Sequence, residues 1–146
     1  MHVELDLLLS APPERCFELL SNPAKRALWQ RSLRRVEVLT PGPPRLGTRW
    51  REWPLGLGEV ELEIVQFEAG RVWAERGETK VGTLQLVLRF EADGAGTRLG
   101  VDAELTLPRW AAWGQGALLP FVRRELTGDL RRAAALLSNG GDETAD

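Results

Sequence analysis

Six stretches after Arg35 alternate apolar and polar residues: "RVEVLT", "TRWREW", "EVELEIVQF", "RVWAER", "TLQLVLRF" and "TRLGVDAELTL". This period of two is the pattern of strands with one buried and one wet face. In "EVELEI" the acids Glu59, Glu61 and Glu63 point one way and Val60, Leu62 and Ile64 the other; Leu84, Leu86, Leu88 and Phe90 are set in the same way against Gln85, Arg89 and Glu91. The connections, such as the Pro/Gly loop "PGPPRLG" and the Gly-rich "EADGAGT", are too short for the crossovers that parallel neighbours need. The pattern therefore predicts an antiparallel meander. A further strand opens the chain, where Val3, Leu5, Leu7 and Leu9 alternate with Glu4 and Asp6.

Between that first strand and the rest, the spacing predicts two short helices. Pro12 and Pro13 suit a first helical turn, Glu14 suits the positive end of the helix dipole, and Cys16, Phe17 and Leu20 share a face. Asn22-Pro23 ends this helix, because the residue before proline is pushed out of the helical region, and "AKRALWQ" forms the second. After Pro108 the period changes. Leu119, Val122, Leu126, Leu130, Ala133 and Leu137 recur at steps of three and four, predicting an amphipathic helix from Ala111 to Leu137 that would run roughly 40 Å. Gly140 and Gly141 are expected to stop it, leaving one domain over 1–140 and a disordered acidic tail over 141–146. Val3, Leu5, Leu62, Ile64, Leu86, Leu88, Val101 and Leu126 are expected around one core.

The order strand, two helices, antiparallel strands, long last helix resembles the helix-grip or START-like superfamily (SRPBCC), in particular its small bacterial polyketide cyclase/dehydrase-like members. The resemblance runs from "LLLSAPPERCFELLSNPAKRALW" through "RLGTRW" to "LRFEADGAGTRLGVDAEL" and the closing helix. Such proteins typically read apolar strand, Ala-Pro, helix, Asp-Pro, Trp; here Asn22 stands where Asp is commoner. The resemblance implies an α+β helix-grip fold, a curved antiparallel sheet of six to seven strands wrapped around the last helix. It narrows function little, since the superfamily includes lipid carriers, hormone receptors, cyclases, ribosome-associated proteins and chaperone activators.

Several chemistries are excluded by the residues themselves. The lone Cys16 would need a base to act as a nucleophile, and the only histidine, His2, lies at the outer end of the first strand. Cys16 therefore reads as a small hydrophobe. One Cys and one His make no Cys/His metal cluster, so no metal is expected, and "GQGALL" lacks the third glycine of a dinucleotide loop, so no cofactor is expected either. There is no run of about 18 apolar residues to span a membrane, and the start "MHVELDLLLSA" is acidic where a signal peptide is basic; the expected location is the cytoplasm. The formal charge of −2 points to no polyanionic partner. Lys25, Arg26, Arg31, Arg34, Arg35, Arg45, Arg49 and Arg51 nevertheless face only Glu37 within residues 25–51; a solvated basic face is the simpler reading, and a ribosome- or RNA-associated role is the alternative.

The remaining signal is tryptophan. Six occur in 146 residues, and Trp50, Trp53, Trp73, Trp110 and Trp113 fall on strands or at the start of the long helix. Indoles could wall a pocket between sheet and helix or simply fill it. On the pocket reading, the chain is a monomer or homodimer that binds or transports an apolar or aromatic small molecule, with Trp50, Leu62, Ile64, Trp73, Leu86, Leu88, Val101, Trp113 and Phe121 lining the site. The alternative is a cyclase or dehydratase-like enzyme, which needs an inward acid or base. Glu52, in phase with Trp50, is the candidate, unless it pairs with Arg49 or Arg51.

Overall fold

The computed structural model describes residues 1–54 and 58–144, with side chains to 139. Seven strands form one antiparallel sheet: β1 (His2–Leu9), β2 (Leu33–Val38), β3 (Arg49–Pro54), β4 (Val60–Glu68), β5 (Val72–Thr79), β6 (Gly82–Asp93) and β7 (Gly96–Thr106). Their order is β1-β7-β6-β5-β4-β3-β2, so β2 to β7 are the expected meander while β1 closes onto β7. The crossing from one sheet edge to the other is made by α1 (Pro13–Leu20) and a 3-10 helix (Pro23–Leu28). Asn22 ends the first helix and caps the second, its side chain accepting from the Ala24 amide at 3.0 Å. A second 3-10 helix (Arg109–Gly114) leads into α2 (Gln115–Thr144).

The strand registers set which residues face the helices. Leu84 lies opposite Leu105, Leu86 opposite Ala103, Leu88 opposite Val101 and Phe90 opposite Leu99, all on the inner face. Val3, Leu62, Ile64, Leu86, Leu88 and Val101 are buried as expected, and Leu5 and Leu126 are half-buried. Phe17 of α1 meets Phe67 and Phe90 edge-on, each at 5.2 Å, seating α1 on the sheet. Cys16 is buried beside it and donates to the Ala11 carbonyl at 3.4 Å; burial pushes its thiol pKa up, which suits a space-filling role. Gly82 begins β6 at a φ of +146°, where a Cβ would lie 2.0 Å from the Thr106 carbonyl oxygen. Only glycine fits that turn.

Two expectations for α2 are corrected. The helix continues through Gly140 and Gly141 to Thr144, because extending an existing helix over a glycine costs only about 1 kcal/mol; of the expected tail, 145–146 lie outside the described residues. Its grip on the sheet is also shorter than its apolar stripe. Leu130, Ala133 and Leu137 are buried, whereas Leu119, Val122 and Leu126 are only half-buried. Polar bonds fix the point of attachment: Asp129 accepts from the Arg31 amide and pairs with Arg132, which donates to the Trp29 carbonyl at 3.1 Å. The inner face is consequently packed around Trp73, Leu88, Phe90 and Leu99 but half-covered at Leu84, Ala103 and Leu105.

Candidate ligand-binding site

At the border between the packed and the half-covered parts lies a charged cluster. Period-two alternation turns Trp50 and Glu52 of β3 inward together, and Trp73 and Glu75 of β5 likewise. The first 3-10 helix brings Arg26 into the space between them. Its guanidinium is 2% exposed, and one nitrogen, Nη1, donates to Glu75 at 2.7 Å and to Glu52 at 3.2 Å. Trp50 Nε1 adds a second bond to the same Glu52 oxygen at 3.1 Å. Three indoles enclose the cation, with ring centroids of Trp29, Trp50 and Trp73 at 5.7, 5.3 and 5.4 Å from its Cζ, and Trp50 stacks on Trp73 at 6.3 Å.

The electrostatics follow from two carboxylates sharing one cation in an apolar setting. Fully ionised, the cluster would hold one uncompensated negative charge, which is costly to bury. Glu75 sits opposite Ile64 and Leu86, and burial pushes its pKa up to about 7 against the pull of Arg26, with the Glu52 charge adding to the rise. Arg26 itself is held above its ordinary value: burial works to lower it, but the charges and hydrogen bonds of Glu75 and Glu52 outweigh that. Proton uptake by Glu75, which this rise favours, would make the cluster neutral. Hydrogen bonding is incomplete, however. Arg26 Nη2, Trp29 Nε1 and Trp73 Nε1 are buried donors with no acceptor among the described residues. Toward the half-covered end, the next inward residue after Glu75 is Gly77, opposite Leu62 and Leu84, which presents no side chain there.

The expected lining divides. Trp50, Leu62, Ile64, Trp73, Leu86, Leu88 and Val101 are all on the inner face and buried. Trp113 and Phe121 are not: they are 88% and 59% exposed, and Trp110 is 70% exposed. The chain leaves the sheet at Pro108, the 3-10 helix eclipses Trp110 and Trp113 on its outer side, and α2 has fully buried residues only from Asp129 onward, with Leu126 half-buried against the core before it. Glu52 pairs with Arg26 and not with Arg49 or Arg51, since alternation turns Arg49 outward, where it meets Glu63 at 3.1 Å. Arg26 is thereby removed from the supposed solvated basic face, while Arg31, Arg34, Arg35, Arg45 and Arg49 are exposed. Trp53 lies half-buried under Arg35. Glu75, Arg26 and Trp29 escaped the reading of the sequence. A usable signal was there for Glu75: Trp-x-Glu occurs twice, at Trp50–Glu52 and Trp73–Glu75.

On the outer face His2, exposed, pairs with Asp102, and this bond raises its pKa. Glu4 joins them, placing three potential metal ligands within 4.8 Å of one another.

Sheet, gripped helix and inward polar cluster define a helix-grip protein with a candidate small-molecule site. The chain belongs to the family described as polyketide cyclase / dehydrase and lipid transport, whose model matches residues 1–138. Among solved structures it is similar to the Zhui aromatase/cyclase of Streptomyces sp. R1128, at 19% identity and a TM-score of 0.79, over 94% of this chain and 93% of that one. It is also similar to TTHA0849 of Thermus thermophilus, at 17% identity and a TM-score of 0.76, over 96% and 99% of the two chains. DR_A0006 of Deinococcus radiodurans matches at 22% identity and a TM-score of 0.66, over 96% and 99%. At these identities the likeness is one of fold. No curated protein sequence matches the chain.

Proposed function

We propose that the protein binds an apolar or aromatic small molecule between the inner face of the sheet and α2, and that the bound molecule carries an acceptor oxygen directed at Arg26. The observation that carries this reading is the set of buried donors without acceptors, Arg26 Nη2, Trp29 Nε1 and Trp73 Nε1, beside an inner face half-covered at Leu84, Ala103 and Leu105. A buried unpaired donor costs about 1–3 kcal/mol, and a carbonyl or phenolic oxygen would remove that cost while the indoles flank a flat ring. Family membership supports the reading.

The test compares polycyclic ketones or phenols with the parent hydrocarbons of the same shape, read by tryptophan emission. The oxygenated series is expected to bind at least tenfold more tightly, since a hydrogen bond to a charged group contributes about 1.5–3 kcal/mol. Equal binding of both series, or none by either, overturns the reading. A second reading, cyclase or dehydratase-like chemistry, is favoured by Glu75, whose pKa of about 7 suits proton transfer near neutrality. Turnover of a poly-ketone substrate that disappears in Glu75→Gln while binding persists would distinguish it from binding alone.

A further inference from the structure

The segment that leaves the sheet half-covered carries a surface of its own. Along the outer side of the second 3-10 helix and α2, the exposed residues Trp110, Trp113, Ala117, Phe121 and Arg124 recur at steps of three and four, forming one stripe. From Leu105 to Arg124 the chain has no acidic residue, while Arg109, Arg123 and Arg124 bracket the aromatic positions. The stripe continues into a groove of about 580 Å³ that contains Pro120 and is lined by Arg31, Arg123, Arg124, Arg131 and Arg132, with Glu125 as its one acid. Asp129 is buried and engaged by Arg132 and the Arg31 amide, so it does little to offset the exposed arginines.

We propose that this stripe and groove dock the protein on an anionic lipid bilayer, with the indoles at headgroup depth and the arginines on lipid phosphates. Indole rings favour the membrane interface, and a helix that presents aromatics flanked by arginine lies in the interfacial plane. Charge complementarity selects this occupant over a second copy of the chain. A two-fold contact through the stripe would gather Arg109, Arg123 and Arg124 of both copies with Glu125 as the one acid of the surface to meet them.

The experiment is co-sedimentation of the full chain with phosphatidylcholine vesicles and with vesicles containing phosphatidylserine, at low and physiological salt. Binding is expected only to the anionic vesicles, weakening as salt rises and by about fivefold for each of Arg123→Gln and Arg124→Gln. Trp113→Ser should weaken binding and reduce the blue shift in emission, Trp110 supplying what remains, because Trp29, Trp50 and Trp73 are already buried. All three positions are exposed, and unchanged melting of the variants checks that they fold. Failure to sediment with anionic vesicles, equal affinity for neutral ones, indifference to these substitutions, or salt-sensitive capture of an acidic protein in place of lipid would each overturn the proposal.

Discussion

Arg26 shows how one buried side chain organises two strands and a helix. It joins the first 3-10 helix to β3 through Glu52 and to β5 through Glu75, so removing it leaves two carboxylates without a cation. Arg26→Met is expected to destabilise the fold by about 3–5 kcal/mol, measured by urea unfolding, and adding Glu52→Gln and Glu75→Gln should recover much of that loss. If the single variant is as stable as wild type, the ion cluster is not structural. Glu75 gives the protein a pH dependence of definite sign. Its folded pKa of about 7 lies above the ordinary 4.5, so the native state binds the proton more tightly than the unfolded chain does. The group's contribution is fully present below about pH 4.5 and is lost as pH rises through 7. Unfolding free energy measured from about pH 5 to 8 should fall in wild type, and that part of the slope should vanish in Glu75→Gln.

At the scale of elements, α2 is two helices in function. Its attached half is fixed by Leu130, Ala133 and Leu137 and by the Asp129–Arg132 pair, and its first half bears the exposed stripe. Leu130→Ala should cost about 2–5 kcal/mol, whereas Phe121→Ala should change stability by no more than about 0.5 kcal/mol; equal costs in thermal melts would mean that the first half packs as tightly as the second. The heptad-like stripe in the sequence made the helix legible but not this division, since Leu119 and Leu130 look alike in a periodicity and differ only in what stands opposite. The strands were legible because alternation and turn chemistry agree locally. Arg26 was not, because its partners Glu52 and Glu75 lie 26 and 49 residues away and nothing in "AKRALWQ" marks the arginine as buried.

At the scale of the whole molecule, a guest bound as proposed, and only to the native state, should raise stability by about 2.7 kcal/mol at a hundredfold excess over the dissociation constant. Leu86→Trp adds an indole to the inner face beside Glu75 and should abolish that ligand-induced rise in melting temperature while the variant remains folded; an undiminished rise would place the guest elsewhere. The antiparallel meander followed from the sequence because each hairpin is local. The closure of β1 on β7 is not local, and no local pattern in the sequence marks it. That closure governs how the chain is made. His2 pairs with Glu104 and Leu9 with Thr97, so β1 leaves the ribosome before its partner β7 has been made. At about 5–20 residues per second that interval lasts roughly 5–20 s, during which Leu5, Leu7 and Leu9 form an unpaired apolar edge open to chaperones or to other nascent chains. A chain released before Thr106 can never seal its own sheet, and translation errors late in the message should therefore be as damaging to the first strand as errors within it.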